Sequence, residues 1–278
     1  MNEEFREITK ILSNRDNSVI ISSVIPSQKY SCSSSFDIFE NGKIAKIVSV
    51  GHPGVPIKYS RPELKSGDKE IDIQGQYVLP GFIDMHGHIG GSADNIPAEY
   101  VFKLWLAHGI TTIREPGSFN GVEWVLEHQA RSDKNEIVAP RIVPYVGFGM
   151  GGDQPVSTEK QARIWVKDIA RKGAKGIKFF GASPKIMAAA LDEAKKQGLG
   201  TMMHHAQLNV MGTNALDSAR LGLTSMEHWY GLPEALFEDK VIQDYPSHYN
   251  YNDEQHRFSE SGKLWLQAAA PGSEKWQQ

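Results

Sequence analysis

Apolar positions change their spacing near residue 78, and this change divides the chain into two parts. Before it, short β-branched or alternating runs are separated by turns, and Asn41-Gly42 lies between two apolar runs as a strong hairpin signal. The segment 51–70 is rich in Pro, Gly and charge, which is typical of a loop. Residues 1–78 are therefore predicted to form a small β region, and residues 79–278 a second domain.

From about residue 77, short apolar runs alternate with longer segments whose apolar residues recur at helical spacing. The runs predicted as strands are 77–86, 110–115, 141–149, 176–181, 200–205 and 223–229, and the predicted helices are 96–109, 120–133, 157–173, 183–198, 214–222 and 233–239. Such alternation predicts a parallel sheet with right-handed crossovers. We expect an α/β fold of the (β/α)8 TIM-barrel type, incomplete, with about six strand–helix units.

The segment after residue 239 breaks this alternation. It contains no buried strand run, and Pro271-Gly272-Ser273 begins a helix that the last residues continue for only one turn. A helix of one turn is not stable alone. We therefore expect the chain to stop within an element, with the barrel incomplete at its C-terminal end.

Composition and charge narrow the classes of partner. The 278 residues carry a formal net charge of -3, which gives no electrostatic basis for binding nucleic acid or an anionic membrane. Cys32 is the only cysteine, the first ten residues lack a signal-peptide pattern, and no apolar run approaches the length of a membrane span. We expect a cytoplasmic protein with a small-molecule substrate, and self-association into a homo-oligomer stays open.

Two histidines in "LPGFIDMHGHIGG" follow the first barrel strand. His86 and His88 are two residues apart, so on a strand they would share a face. In a barrel the chemistry lies at the carboxyl ends of the strands, where both imidazoles would emerge. Asp84 precedes them and has two equally weighted interpretations, a carboxylate orienting a ligand histidine or a cap of the strand end.

Three later strands also end in candidate ligands. Lys178 lies in "GIKFFG", where burial would lower the pKa of its amine and allow it to capture carbon dioxide as a carbamate. His204 and His205 end the fifth strand and point opposite ways, so only one can face inward, and His228 ends the sixth. Imidazole with oxygen ligands suits zinc and similar divalent ions.

Four further residues lie at or just past strand ends and are candidates for a substrate pocket: Arg114, Tyr145, Trp229 and Tyr230. For the three aromatic residues, packing in the core is an equally good interpretation.

Five segments together resemble the amidohydrolase superfamily, in particular its prolidase-like and imidazolonepropionase-like hydrolases. They are "VLPGFIDMHGHIGG", "GITTIREPGS", "GIKFFG", "MMHHAQ" and "GLTSMEHWYGL". The resemblance implies that the N-terminal β region belongs to a small composite β-sandwich. It also implies a cofactor of one or two divalent ions, with zinc as the expected metal.

The resemblance assigns a metal ligand to each matching position. His86 and His88 match the first metal pair, and Lys178 matches the lysine that is carbamylated in binuclear members. His205 matches the strand-five ligand because it directly precedes an alanine, and His228 matches the strand-six ligand. The aspartate that serves as general acid and base at the end of strand eight has no counterpart in this sequence, so the catalytic residue is unknown.

The function implied is hydrolysis of an amide-type C–N bond by a metal-activated water, preferably at a binuclear site with a carbamylated lysine. Dipeptides or N-acyl amino acids are the favoured substrates, although fold alone does not fix a substrate. Two alternatives stay open. The chain could be an inactive remnant that serves as a binding module, or one chain of a two-chain enzyme.

Overall fold

The computed structural model describes residues 19–22, 34–40, 43–51, 66, 69–72, 80–152, 155–207, 209–239 and 245–278. The chain divides into two compact units, Met1–Gly81 and Phe82–Gln278.

The first unit contains a four-stranded sheet. Its strands are β1 (Val19–Ser22), β2 (Ser34–Glu40), β3 (Lys43–Gly51) and β4 (Lys69–Asp72), in the order β3-β2-β1-β4. β2 and β3 are antiparallel, and Glu40 pairs with Lys43, which confirms the predicted hairpin although residues 41–42 lie outside the described part. Residues 73–79, which follow β4, also lie outside that part.

The second unit is built on a six-stranded parallel sheet, as the alternating pattern predicts. Its strands are β5 (Phe82–Asp84), β6 (Ile110–Pro116), β7 (Arg141–Gly147), β8 (Gly176–Phe179), β9 (Gly200–His204) and β10 (Ser225–Glu227). Each strand pairs in parallel with its neighbours in chain order. This arrangement confirms the α/β fold of incomplete TIM-barrel type.

Helices follow the strands and cover the sheet. They are α1 (Ala98–Ala107), α2 (Val122–Asp133), α3 (Glu159–Lys172), α4 (Pro184–Lys196), α5 (Ala215–Arg220), α6 (Leu232–Ala235), α7 (Glu254–Lys263) and α8 (Glu274–Gln277), with 3-10 helices at Ser92–Asp94 and Leu264–Gln267. Among the described residues, none of the helices combines the length and apolarity that crossing a bilayer requires.

Helix α7 is absent from the sequence prediction, and its composition explains why. Ser261 is its buried residue, so it lacks the apolar stripe that marks a helix packed against a core. Its start is fixed by a cap instead, because Oδ1 of Asp253 accepts a hydrogen bond of 3.0 Å from the backbone N–H of His256.

Two apolar clusters hold the second unit together. The larger lies between the sheet and helices α3 and α4, where Ala162, Trp165 and Ile169 form the inward face of α3. The smaller joins α1 and α2 to the first strands and centres on Phe102 and Ile113. Both clusters fix the strand positions, and the strand positions in turn place the side chains at the strand ends.

The sheet is curved enough to bring its two edge strands together. In a flat sheet, β5 and β10 would be about 24 Å apart, because neighbouring strands are spaced at about 4.8 Å. Yet one side chain on β6 reaches both edges: Arg114 donates to the backbone carbonyl of Met85, at 2.7 Å, and to Oγ of Ser225, at 3.0 Å. This closure places residues from opposite edges in one site.

Candidate active site

Four imidazole rings form a continuous row at the carboxyl end of the sheet. The ring centroids of His86 and His88 are 5.3 Å apart, those of His86 and His228 are 5.0 Å apart, and those of His228 and His204 are 4.9 Å apart. These residues come from the ends of β5, β9 and β10, which meet because parallel strands present their carboxyl ends at one edge. We call these four residues the histidine row.

Lys178 lies within β8 with its side chain beside the row. The residue is 2% exposed, and burial lowers the pKa of its amine to about 8, with the positive charge of Arg114 acting in the same direction. Glu227 and Glu115 oppose this shift. Its charge in turn helps to depress the pKa of His204 and His228. Lys178 thus lies in the predicted fourth strand of the sheet and is buried.

The choice between the two histidines of the fifth strand is corrected by the structure. His205, which the sequence analysis selected, is fully buried away from the row, and its Nε2 lies 2.8 Å from Oγ of Ser218 on α5. His204 instead faces His228, and burial lowers its pKa to about 3. The alternation of side chains along a strand explains why His204, and not His205, faces the row. His204 pairs with Glu227 of β10, so the two side chains lie on the same face of the sheet. The carboxylate of Glu227 contacts His86 on that face.

Two buried glutamates that the sequence analysis did not nominate contact the row. Nδ1 of His86 is hydrogen-bonded to Oε2 of Glu227, and Nδ1 of His88 lies 3.3 Å from Oε1 of Glu115. The contact with Glu115 raises the pKa of His88 and outweighs the opposite effect of its burial. A signal was present in the sequence, since both glutamates lie at the ends of predicted strands.

The backbone of His228 is held in an unusual conformation. Its φ of 61° lies in the left-handed region, which costs a residue other than glycine about 1–3 kcal/mol. Such strain persists where the surrounding structure fixes a side chain, and here it directs the imidazole between His86 and His204.

Arg114 and Tyr145 are both buried, which for Tyr145 agrees with the core-packing interpretation and for Arg114 differs from the expected pocket lining. Arg114 is buried and bonded to Met85, Ser225 and Glu227, with the last contact at 2.6 Å. Its guanidinium carbon lies 5.2 Å from the centroid of the Tyr145 ring. Tyr145 is also buried, so both side chains fill the interior of the curved sheet.

Trp229 and Tyr230 occupy different positions beyond β10. Tyr230 is 1% exposed, and its ring centroid lies 5.3 Å from that of His204 and 5.5 Å from that of Phe258 on α7. Burial raises the pKa of its hydroxyl. Trp229 is half-buried, and its ring centroid lies 6.3 Å from that of Trp265. Tyr230 therefore adjoins the histidine row but is buried, which agrees with the core-packing interpretation of this residue.

Asp84 acts on the backbone. Its Oδ1 accepts a hydrogen bond of 2.8 Å from the backbone N–H of His86. This contact matches the strand-end cap, the second of its two predicted interpretations, and not a carboxylate held against an imidazole. The cap fixes the turn by which the chain leaves β5 and presents His86.

The donor groups of the row fit a divalent metal ion by their chemistry. Within the described residues, no three His, Cys, Asp or Glu side chains converge into a preassembled metal centre. However, the carboxylates engage Nδ1 of His86 and His88 and leave Nε2 of each ring as the available donor. Of these two pairs, His86 and Glu227 are hydrogen-bonded, whereas the 3.3 Å contact between Nδ1 of His88 and Oε1 of Glu115 lacks hydrogen-bond geometry. Carboxylate–imidazole pairs of this kind support metal ligands in many proteins.

Comparison with known proteins identifies a family whose sequences match this chain. Residues 77–253, more than half of the chain, match the amidohydrolase family. An adenine deaminase of Methanoculleus marisnigri is 37% identical over 120 residues, which are 40% of this chain and 21% of that protein. Adenine deaminase 2 of Desulfotalea psychrophila is 29% identical over 163 residues, which are 55% of this chain and 28% of that protein. The chain thus spans less than a third of the length of either relative.

A solved structure shares the fold. It is a Xaa-Pro dipeptidase with methionine bound in its active site, and it superimposes with a TM-score of 0.55 over 76% of this chain and 61% of the other. The two sequences are 19% identical, so this likeness supports the architecture.

Proposed function

Because the chain belongs to the amidohydrolase family, we propose that it carries the metal-binding part of an enzyme that hydrolyses C–N bonds. The observation that supports this proposal is the histidine row beside a buried lysine at the carboxyl edge of a barrel-type sheet. Core filling does not explain four imidazoles and a lysine at one strand-end edge, since His88 and His228 are exposed and the buried Lys178 requires a partner.

The residues that would hold the metal are His86, His88, His204 and His228, together with Lys178. His204 replaces His205 in this set because of its position in the row. A bound divalent ion would polarise the substrate carbonyl or ring carbon and increase the acidity of water. Zinc is the expected ion, because imidazole with oxygen donors suits it.

Lys178 would contribute as a carbamate. Its neutral amine nitrogen would attack the carbon of carbon dioxide, forming a C–N bond while the π bond of one C=O breaks and its electron pair moves to oxygen, and one proton would leave to solvent. The product replaces a buried cation with an anionic oxygen donor. That exchange relieves the cost of a positive charge buried beside Arg114, and it supplies a group able to bridge two ions.

The substrate is proposed as a small molecule with a hydrolysable C–N bond. Two compounds are tested first because of the proteins that this chain resembles. Adenine is chosen because the two relatives described above are adenine deaminases, and an Xaa-Pro dipeptide because the structural neighbour is a dipeptidase. Release of ammonia from adenine or of proline from the dipeptide distinguishes the two.

The test is metal content by plasma mass spectrometry on the purified chain and on Lys178→Ala. We expect nearly two equivalents of zinc in the wild-type chain and about one in Lys178→Ala, because the second ion loses its bridging donor. The matched control is Lys175→Ala, an exposed lysine just before β8, which should keep the wild-type content. Equal metal content in wild type and Lys178→Ala contradicts the carbamate, and absence of metal from the wild type contradicts the proposed function.

A further inference from the structure

Glu115 is fixed by the chain next to one imidazole of the row. It is the last residue but one of β6, it is 1% exposed, and its Oε2 accepts a hydrogen bond of 2.8 Å from the backbone N–H of Ile89. Its other oxygen lies 3.3 Å from Nδ1 of His88. The backbone donor therefore holds one oxygen, and the other faces the imidazole.

Glu227 has the same arrangement on the opposite edge of the sheet. Its Oε1 accepts a hydrogen bond of 2.6 Å from Arg114, and its Oε2 is hydrogen-bonded to Nδ1 of His86. The guanidinium donates to this carboxylate and compensates its charge in the interior, so its oxygens act as acceptors toward Arg114 and toward the ring of His86. One oxygen is again committed to a fixed donor and the other faces an imidazole.

We propose that Glu115 and Glu227 are positioning residues that set the tautomer of His88 and His86. A neutral imidazole carries one proton, on either nitrogen. A carboxylate can only accept, so it retains the proton on Nδ1 and leaves the lone pair of Nε2 free. The rings of His86 and His88 thereby each present a free Nε2 lone pair to a metal ion. The carboxylates that hold them come from two different strands, β6 and β10.

The tautomers are measured on metal-free protein at pH 8 by ring ¹⁵N spectra of the histidines, assigned with His86→Gln and His88→Gln. We expect both rings to carry the proton on Nδ1. In Glu115→Gln, the amide oxygen must stay with the Ile89 N–H, so the NH₂ group faces His88 and should move its proton to Nε2. In Glu227→Gln, Arg114 holds the oxygen, and the same change is expected at His86 alone.

The matched control is Glu193→Gln. Glu193 is a buried glutamate on α4 that contacts Arg163, Lys167 and Gln197, away from the histidine row. Its substitution should leave both ring signals unchanged. If the wild-type rings carry the proton on Nε2, or if each glutamine variant retains it on Nδ1, the inference is wrong.

A second measurement connects the tautomers to metal binding, and this step rests on the proposed function. We expect zinc affinity, measured by competition with a chelator, to fall about 10- to 100-fold in Glu115→Gln and Glu227→Gln, as for other partners of metal-ligating histidines. Unchanged affinity in both variants overturns a role in metal binding. If the wild-type chain binds no zinc, the proposed function fails, while the ring spectra still decide the tautomers.

Discussion

His204 and His205 are neighbours in the chain, yet their rings lie in different environments. His204 ends β9 on the face that carries the histidine row, whereas His205 turns toward α5 and reaches Ser218. The motif match favoured His205 because an alanine follows it. The alternation of side chains along a strand decides the matter in the structure, since β9 extends through His204 in register with β10.

This reversal predicts opposite effects for two substitutions. His204→Ala should remove a metal donor and lower metal content while changing the free energy of unfolding little. His205→Ala should keep the metal content and lower the free energy of unfolding by about 2–4 kcal/mol, because it opens a cavity and leaves Ser218 without its imidazole. Metal content and urea denaturation of the two variants measure both effects. Loss of metal in His205→Ala alone would support the motif match instead.

The residues of the site were partly predictable from the sequence. Histidine and lysine at strand ends are visible in a sequence because strand runs and their ends are visible. The glutamates were missed because an acidic residue at a strand end is ordinary, and only the three-dimensional contact with an imidazole gives it a role. Arg114 was placed at the site correctly but in the wrong environment, since its burial depends on the curvature of the whole sheet.

At the scale of elements, helix α5 supports the buried His205. The helix begins with a capping box, in which Oδ1 of Asn214 accepts from the backbone N–H of Asp217, at 3.0 Å, and Oδ2 of Asp217 accepts from that of Asn214, at 3.2 Å. With only six residues, α5 depends on this cap for its start. The cap thereby also fixes Ser218, which holds the His205 ring.

Asn214→Ala should lower the free energy of unfolding by about 1 kcal/mol, since the side-chain acceptor at the helix start is lost. Asn214→Ser is the matched control, because serine caps a helix about as well as asparagine and should stay near wild type. Thermal denaturation followed by circular dichroism measures both variants. Equal destabilisation by alanine and serine would show that the size of the side chain matters more than its cap.

Element prediction succeeded where burial creates a periodic pattern. Strands β6 to β9 and helices α1 to α4 each carry such a pattern, and each lies within a few residues of its predicted range. Helix α7 carries none, because its contribution to packing is small. Its aromatic residue Phe258 nevertheless stacks on Tyr230, and no periodic pattern in the sequence predicts this contact.

At the scale of the whole second unit, Arg114 joins the two edges of the sheet. Its guanidinium binds the Met85 carbonyl next to β5, and on β10 it binds Ser225 and Glu227. A buried cation that satisfies a carboxylate is costly to remove, because the charge left behind has no partner.

Arg114→Met should therefore lower the free energy of unfolding by about 3 kcal/mol, measured by urea denaturation. Arg141→Met, at the exposed start of β7, is the matched control and should change it by less than about 0.5 kcal/mol. Combining Arg114→Met with Glu227→Gln should recover part of the loss, because the unpaired charge is removed as well. A double variant less stable than the sum of its parts would contradict this explanation.

The Tyr145 ring packs over the backbones of β8 and β9, where a Cβ atom built at Gly176 or Gly200 would overlap it. The three positions therefore form one steric unit drawn from three neighbouring strands. In a library of single substitutions, we expect every variant with a side chain at position 176 or 200 to be destabilised by overlap with Tyr145. Variants that also carry a shorter residue at position 145 would have space for such a side chain. Redesign of the barrel interior thus has to proceed through combinations at these positions, in a fixed order, with residue 145 changed first.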